Sequence, residues 1–289
     1  MDDDTSVRDS VRDPRRDSAR GPAPDSGRDS ARGPAPDSVR DDARHLGLRP
    51  LTARSIVLST LLGHHPPRLP ARALVRVGEL FGIAEGTVRV ALSRMVAAGD
   101  LRQDDGTYGL TARLLERQAR QDESRTPRTR HWAGAWEIAV VTAEARPAAE
   151  RTALRQAMAE LRLAELREGT WLRPGNLERA LPPVITRQCT LLTGVPDGDP
   201  AELARGLWDL DGWAARARAL LAALSGATSP AVRFTVSAAV LRHLLADPLL
   251  PDVLLPADWP GTELRRRYGS FEAELRDLLR QYVTPGSAA

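Results

Sequence analysis

The chain has 289 residues, a formal charge of +3 and a hydrophobic fraction of 42%, enough for two or three packed domains of roughly 100–150 residues each. Its single cysteine, Cys189, excludes an internal disulfide framework and a cysteine-rich zinc site, and no apolar run approaches the ~20 residues of a membrane span. All 41 basic residues are arginine, so arginine is less diagnostic than usual and only its local placement bears on nucleic-acid binding.

Residues 1–48 are low in complexity. DSARGPAPDS occurs twice, at Asp17–Ser26 and Asp29–Ser38, and aspartate and arginine nearly balance. Almost no large apolar side chain is present to offset the entropy of ordering, so this tail is expected to be disordered. Asp2, Asp3 and Asp4 stand where a signal peptide would carry basic residues, which fits a soluble cytoplasmic protein.

Residues 49–123 carry the most informative pattern. Thr52 can cap a helix through Ile56, Leu58, Leu61 and Leu62, which ends near Gly63 and the His64-His65-Pro66-Pro67 break. Pro70 opens a second helix, ARALVRVGELFG, and Gly82 supplies a tight turn. Glu85 then starts a third helix, where an acidic side chain suits the positive end of the macrodipole. Val88, Leu92, Met95 and Val96 make its apolar stripe; Thr87, Arg89, Val90, Ser93 and Arg94 face away. Asp105-Gly106 is a type I′ hairpin signal between the strands Leu101–Gln103 and Thr107–Leu110, and Thr111 can cap a further helix, ARLLERQARQ. This order describes a winged helix-turn-helix domain.

In such domains the second helix of the pair enters the major groove and the hairpin follows the flanking backbone. Arg89 and Arg94 are therefore candidates for guanine or phosphate contact, Ser93 and Thr87 for phosphate or base hydrogen bonds, and Arg54 for a phosphate. Arg102 reads as the wing's only cation. Asp104 and Asp105 at the tip would repel phosphates and oppose deep insertion into a minor groove.

Residues 124–131, SRTPRTRH, read as a linker. Within 132–207, the spacing gives a strand at Trp136–Ala143, a helix from about Pro147 to Leu163, and a strand around Gly169–Arg173. A short helix at Asn176–Leu181, the strand RQCTLLTGV and the helix DPAELARGL follow. Strand, helix, strand, strand, helix is most of a ferredoxin-like split unit, with no evident fourth strand. Residues 208–289 read as helical: Trp208–Leu224, Ser229–Asp247, and a last helix or helix pair after Pro248–Pro260. Leu264, Tyr268, Phe271, Leu275, Leu278 and Leu279 form a core or dimer stripe. The Arg265-Arg266-Arg267 run reads as a solvated face or a second basic patch. The fold class is α+β and helix-rich.

Four stretches in this order, TVRVALSRMVAAGDL, LREGTWLRPGNL, WDLDGW and DPLLPDVLLPADWPG, resemble the PaaX family of bacterial transcriptional repressors, over roughly Leu51 to Val283. The resemblance implies a winged helix-turn-helix, a ferredoxin-like middle resembling the small CRISPR-associated endonuclease, and a helical C-terminal domain for effector binding or dimerisation. It also implies a homodimer on a roughly palindromic double-stranded operator, released by an aromatic acyl-CoA such as phenylacetyl-CoA. Trp171, Arg173 and Arg179 are then candidates for contacting the CoA ester, although a tryptophan beside an arginine more commonly reflects packing.

Two other classes compete with this reading. A metal-dependent nuclease would need carboxylates converging near the end of the first central strand, where Thr142-Ala143-Glu144 offers a single one. A winged helix can also serve as a protein-interaction module. No Ser/His/Asp or Cys/His arrangement and no phosphate-loop glycine motif is evident. His64, His65 and His131 lack partners at metal-ligand spacing, so neither an enzyme, a cofactor nor a metal is expected.

Overall fold

The computed structural model describes residues 51–283 apart from residues 145 and 228; the low-complexity tail lies outside the described residues. Helix α1 (Ala53–Leu62) begins at a capping box, with the Thr52 hydroxyl accepting from Ser55 N at 3.1 Å and the Ser55 hydroxyl accepting from Thr52 N at 2.8 Å. Strand β1 (Arg68–Pro70) leads into α2 (Ala71–Leu80). Gly82, at φ +73, makes the turn into α3 (Glu85–Ala97). Strands β2 (Leu101–Asp104) and β3 (Thr107–Leu110) form the hairpin, and α4 (Ala112–Arg125) follows. Asp105 (φ +44) and Gly106 (φ +71) are both left-handed, as a type I′ turn demands. The core joins Leu61, Leu74, Val88, Leu92, Met95, Leu110 and Leu114.

This sheet has three strands, in the order β1-β3-β2, rather than the expected two. β1 escaped the sequence reading because Pro67 and Pro70 bracket it and its pairing with β3 is distant in sequence. Helix α4 also runs on to Arg125, taking up the start of the expected linker and burying Ser124.

The central segment contains β4 (Trp136–Val141), α5 (Ala148–Glu160), β5 (Ala164–Arg167), β6 (Thr170–Pro174), α6 (Pro183–Gln188) and β7 (Cys189–Gly194). Its antiparallel sheet has the order β5-β6-β4-β7, which is ferredoxin-like. β5 is the strand that sequence periodicity did not reveal. It is short, and its pairing with β6 shifts register between Glu165 and Arg167. The short helix is not at Asn176–Leu181 but at Pro183–Gln188. The earlier stretch is held extended, with Thr129 bridging Leu177 and Arg130 N donating to the Asn176 carbonyl.

On one face of this sheet, Ala139 packs with Leu154, Met158 and Ile185 of the covering helices. On the other, Trp136 and Leu172 meet Ala204 of α7 (Pro200–Leu207), Leu210, Leu250 and Leu254. The chain then forms α8 (Leu210–Gly226), α9 (Pro230–Leu245) and one continuous α10 (Gly261–Val283). Leu264, Tyr268 and Phe271 of the expected stripe are buried within this chain.

Trp213 is stacked between His243 at 4.3 Å and Trp259 at 4.5 Å. His243 Nε2 lies 3.0 Å from the Trp213 carbonyl oxygen, and the Trp213 indole donates to the His243 carbonyl at 3.3 Å. Burial, aided by the Arg216 charge, holds the His243 pKa below its usual 6.5, although the backbone hydrogen bond to Trp213 and the Asp247 charge oppose the shift. The folded state therefore binds fewer protons than the unfolded state just below pH 6.5. Stability contributed by this ring is complete above that value and lost as pH falls through the lowered folded pKa. Thermal melts from about pH 7.5 to about pH 5 should show declining stability, with a shallower decline in His243→Gln.

Candidate nucleic-acid interface

Helix α3 packs through Val88, Leu92 and Met95 and leaves the opposite face to solvent. At 3.6 residues per turn, Gly86, Val90, Ser93 and Ala97 form the middle of that face, with Thr87 and Arg94 on one shoulder and Arg89 on the other. Val90 is 50% exposed. A small, partly apolar centre flanked by cations suits close approach to base edges, including a thymine methyl. Spacing alone places Val90 on this face, though not as an expected contact residue; Gly86 was missed, and its helical phase is the signal that would have found it.

Arg89 donates to Glu85 at 2.7 Å, one turn earlier. This exposed i, i+4 pair contributes little to stability and can be exchanged for phosphate at small cost. Arg94 has no ion-pair partner among the described residues. Arg54 has a different environment: with Arg113 it grips the buried carboxylate of Asp100, which ties α1 and α4 to the exit of α3. Its guanidinium remains half exposed, so a phosphate contact would be added to this structural role.

The hairpin carries more positive charge than its sequence suggested, because β1 brings Arg68 beside it. Arg68 and Arg102 both register against Gly109, from opposite sides of β3. A Cβ on Gly109 would stand 3.2 Å from Arg68 Cγ and 3.4 Å from Arg102 Nε, so the glycine leaves room for both side chains. Arg68 also pairs with Asp104 at 3.2 Å, which offsets one of the two acids at the tip. Along α4, Arg117 lies near Arg54, Arg113 and Arg120; burial first, then these cations, lower its pKa.

The three residues expected to meet an effector do not converge on a cavity. Trp171 is half buried, with the Arg155 guanidinium 5.8 Å from its ring centroid. Arg179 makes a two-pronged pair with Glu137, at 2.8 and 3.4 Å. Arg173 is fully buried and donates to Asn176 Oδ1 at 2.8 Å and to the carbonyls of Pro174 (3.0 Å), Leu249 (3.2 Å) and Pro248 (3.4 Å). Burial lowers its pKa to about 9, leaving it charged at neutral pH. Arg265, from the basic run, pairs with buried Asp247 at 2.7 Å, while Arg266 and Arg267 pair with Glu263. Among the described residues, no three His, Cys, Asp or Glu side chains gather as a metal site, and no helix is long and apolar enough to cross a membrane.

Three family models match consecutive parts of the chain: PaaX-like protein over residues 52–114, PaaX protein central Cas2-like domain over 129–190, and PaaX-like protein C-terminal domain over 209–285. A solved structure, the uncharacterized protein Rv0674 from Mycobacterium tuberculosis, is 47% identical with a TM-score of 0.70, over 80% of this chain and 98% of that one. No curated protein gives a significant match. Domains of these three kinds in this order define a transcriptional regulator. The chain belongs to the PaaX family.

Proposed function

We propose that the protein is a sequence-specific repressor that binds double-stranded operator DNA as a homodimer, through a winged helix-turn-helix formed by α1 to α4. The exposed face of α3 carries this reading: Val90 and Ser93 lie at its centre, and Arg89 and Arg94 flank them opposite a fully packed stripe. In this arrangement α3 lies in the major groove, with Arg94, Arg89, Ser93 and Thr87 reaching bases or adjacent phosphates. Arg68 and Arg102 follow the neighbouring backbone. Two copies related by a two-fold axis read the halves of a near-palindrome. The family resemblance supports release by an aromatic acyl-CoA such as phenylacetyl-CoA, which would favour a dimer geometry out of step with successive grooves.

Fluorescence anisotropy with labelled DNA from upstream of the gene tests the proposal. Arg94→Ala and Arg89→Ala are each expected to weaken operator binding by ~1–3 kcal/mol and to relax base preference if the contact is bidentate. Arg102→Ala should instead weaken binding to all sequences similarly and reduce the salt slope by about one. Unchanged operator affinity in the Arg89→Ala/Arg94→Ala double variant would remove α3 as the reading helix.

A further inference from the structure

We propose that the effector binds in the cavity between the DNA-binding half and the C-terminal helices, and that it is an organic anion with a compact apolar body. This rests on the regulator reading above and moves the effector away from Trp171 and Arg179. The cavity holds about 290 Å³, and its apolar wall includes Leu58 and Leu62 of α1, Phe234 and Leu241 of α9, and Phe271 of α10. That volume lies near the lower end of the ~300–1,000 Å³ usual for small-molecule sites, enough for one ring or a short branched chain.

The wall also offers an unpaired cation. Arg117 has no ion-pair partner among the described residues and is crowded by Arg113 and Arg120. A ligand with its apolar body inside and its anionic group toward Arg117 supplies the missing counter-charge.

The location also supplies a route to the DNA. Phe234 lines the cavity and packs against Phe81 with ring centroids 4.9 Å apart. Phe81 ends α2, immediately before the Gly82 turn into α3. A ligand that displaces Phe234 therefore acts on the residue that sets the entry of the reading helix.

Titration with 1-anilinonaphthalene-8-sulfonate, an aromatic anion that fluoresces in apolar surroundings, tests the site in the full chain, with phenylacetyl-CoA as competitor. The expected result is one saturable site per protomer, displaced by the competitor. Binding should be lost in Ala238→Trp, which fills the cavity, and weakened about tenfold or more in Arg117→Gln. Arg117→Gln is conservative, and circular dichroism establishes that each variant is folded. Wild-type probe affinity in both folded Ala238→Trp and Arg117→Gln overturns the proposal, as does loss of binding in Trp171→Ala instead. Operator binding measured on the same samples without ligand separates the two readings: its absence from the wild type defeats the repressor reading, while the probe still reports on the cavity.

Discussion

Replacing Arg173 with alanine is expected to lower the unfolding free energy by about 3–5 kcal/mol, more than any single change on the exposed face of α3. The guanidinium joins two parts of the chain far apart in sequence: Pro174 and Asn176, at and just beyond the end of β6, and the carbonyls of Pro248 and Leu249. Asn176 reinforces the joint by donating its own amide to the Leu249 carbonyl at 3.0 Å. Truncation strands the Pro174, Pro248 and Asn176 oxygens in the interior, at ~1–3 kcal/mol for each one left unsatisfied. A buried ion pair can sometimes be exchanged for apolar residues at no cost, because both partners can be replaced. Here most acceptors are main-chain carbonyls that no substitution removes, so Arg173→Met should also destabilise. Arg173→Lys keeps the charge but loses the planar fork that reaches several oxygens, and should recover only a minor part. Urea unfolding of the three variants measures this, and wild-type stability in Arg173→Met would refute it.

The same joint explains what the sequence could and could not convey. LREGTWLRPGNL and DPLLPDVLLPADWPG are separate landmarks in the sequence, but they are the two sides of one contact, with Leu249 turned to φ +52 and its N–H held by Asp247 Oδ1 at 2.8 Å. Their chemistry was visible as Arg173 beside Trp171 and as a proline-rich run; their meeting was not, because nothing local encodes it. Features that depend on neighbouring residues were readable: the Val88, Leu92 and Met95 stripe, the Asp105-Gly106 turn, and the cap at Thr52. Features set by distant pairing were not. β1 depends on β3, the extended stretch at 176–178 depends on 128–130, and Asp100 reveals its importance only when Arg54 and Arg113 converge on it. The cavity is the extreme case, since its walls come from α1, α4, α9 and α10.

Gly78→Ala is expected to destabilise the N-terminal unit of α1 to α4 by about 1–3 kcal/mol and, on the proposed function, to weaken operator binding beyond that loss. In an ordinary exposed helix this change stabilises by about 1 kcal/mol, because glycine is the poorer helix former. Gly78 lies where α2 crosses α3, and a Cβ built there would stand 2.5 Å from Val88 Cγ2. Val88 is fully buried and β-branched, so it has little freedom to rotate away. The strain would push α3 outward, shifting Val90, Ser93 and Arg94 relative to Arg68 and Arg102 on the hairpin. Gly86 gives the control: nothing lies within 4 Å of a Cβ there, so Gly86→Ala should raise the melting temperature while placing a methyl on the exposed face of α3. Trimming the obstruction in Gly78→Ala/Val88→Ala should make the double variant more stable than the summed single losses predict, since the two changes share one contact. Thermal melts and operator titrations at a temperature where every variant is folded give both quantities. A stabilising Gly78→Ala, or strict additivity with Val88→Ala, would show that the α2–α3 crossing does not set the position of α3.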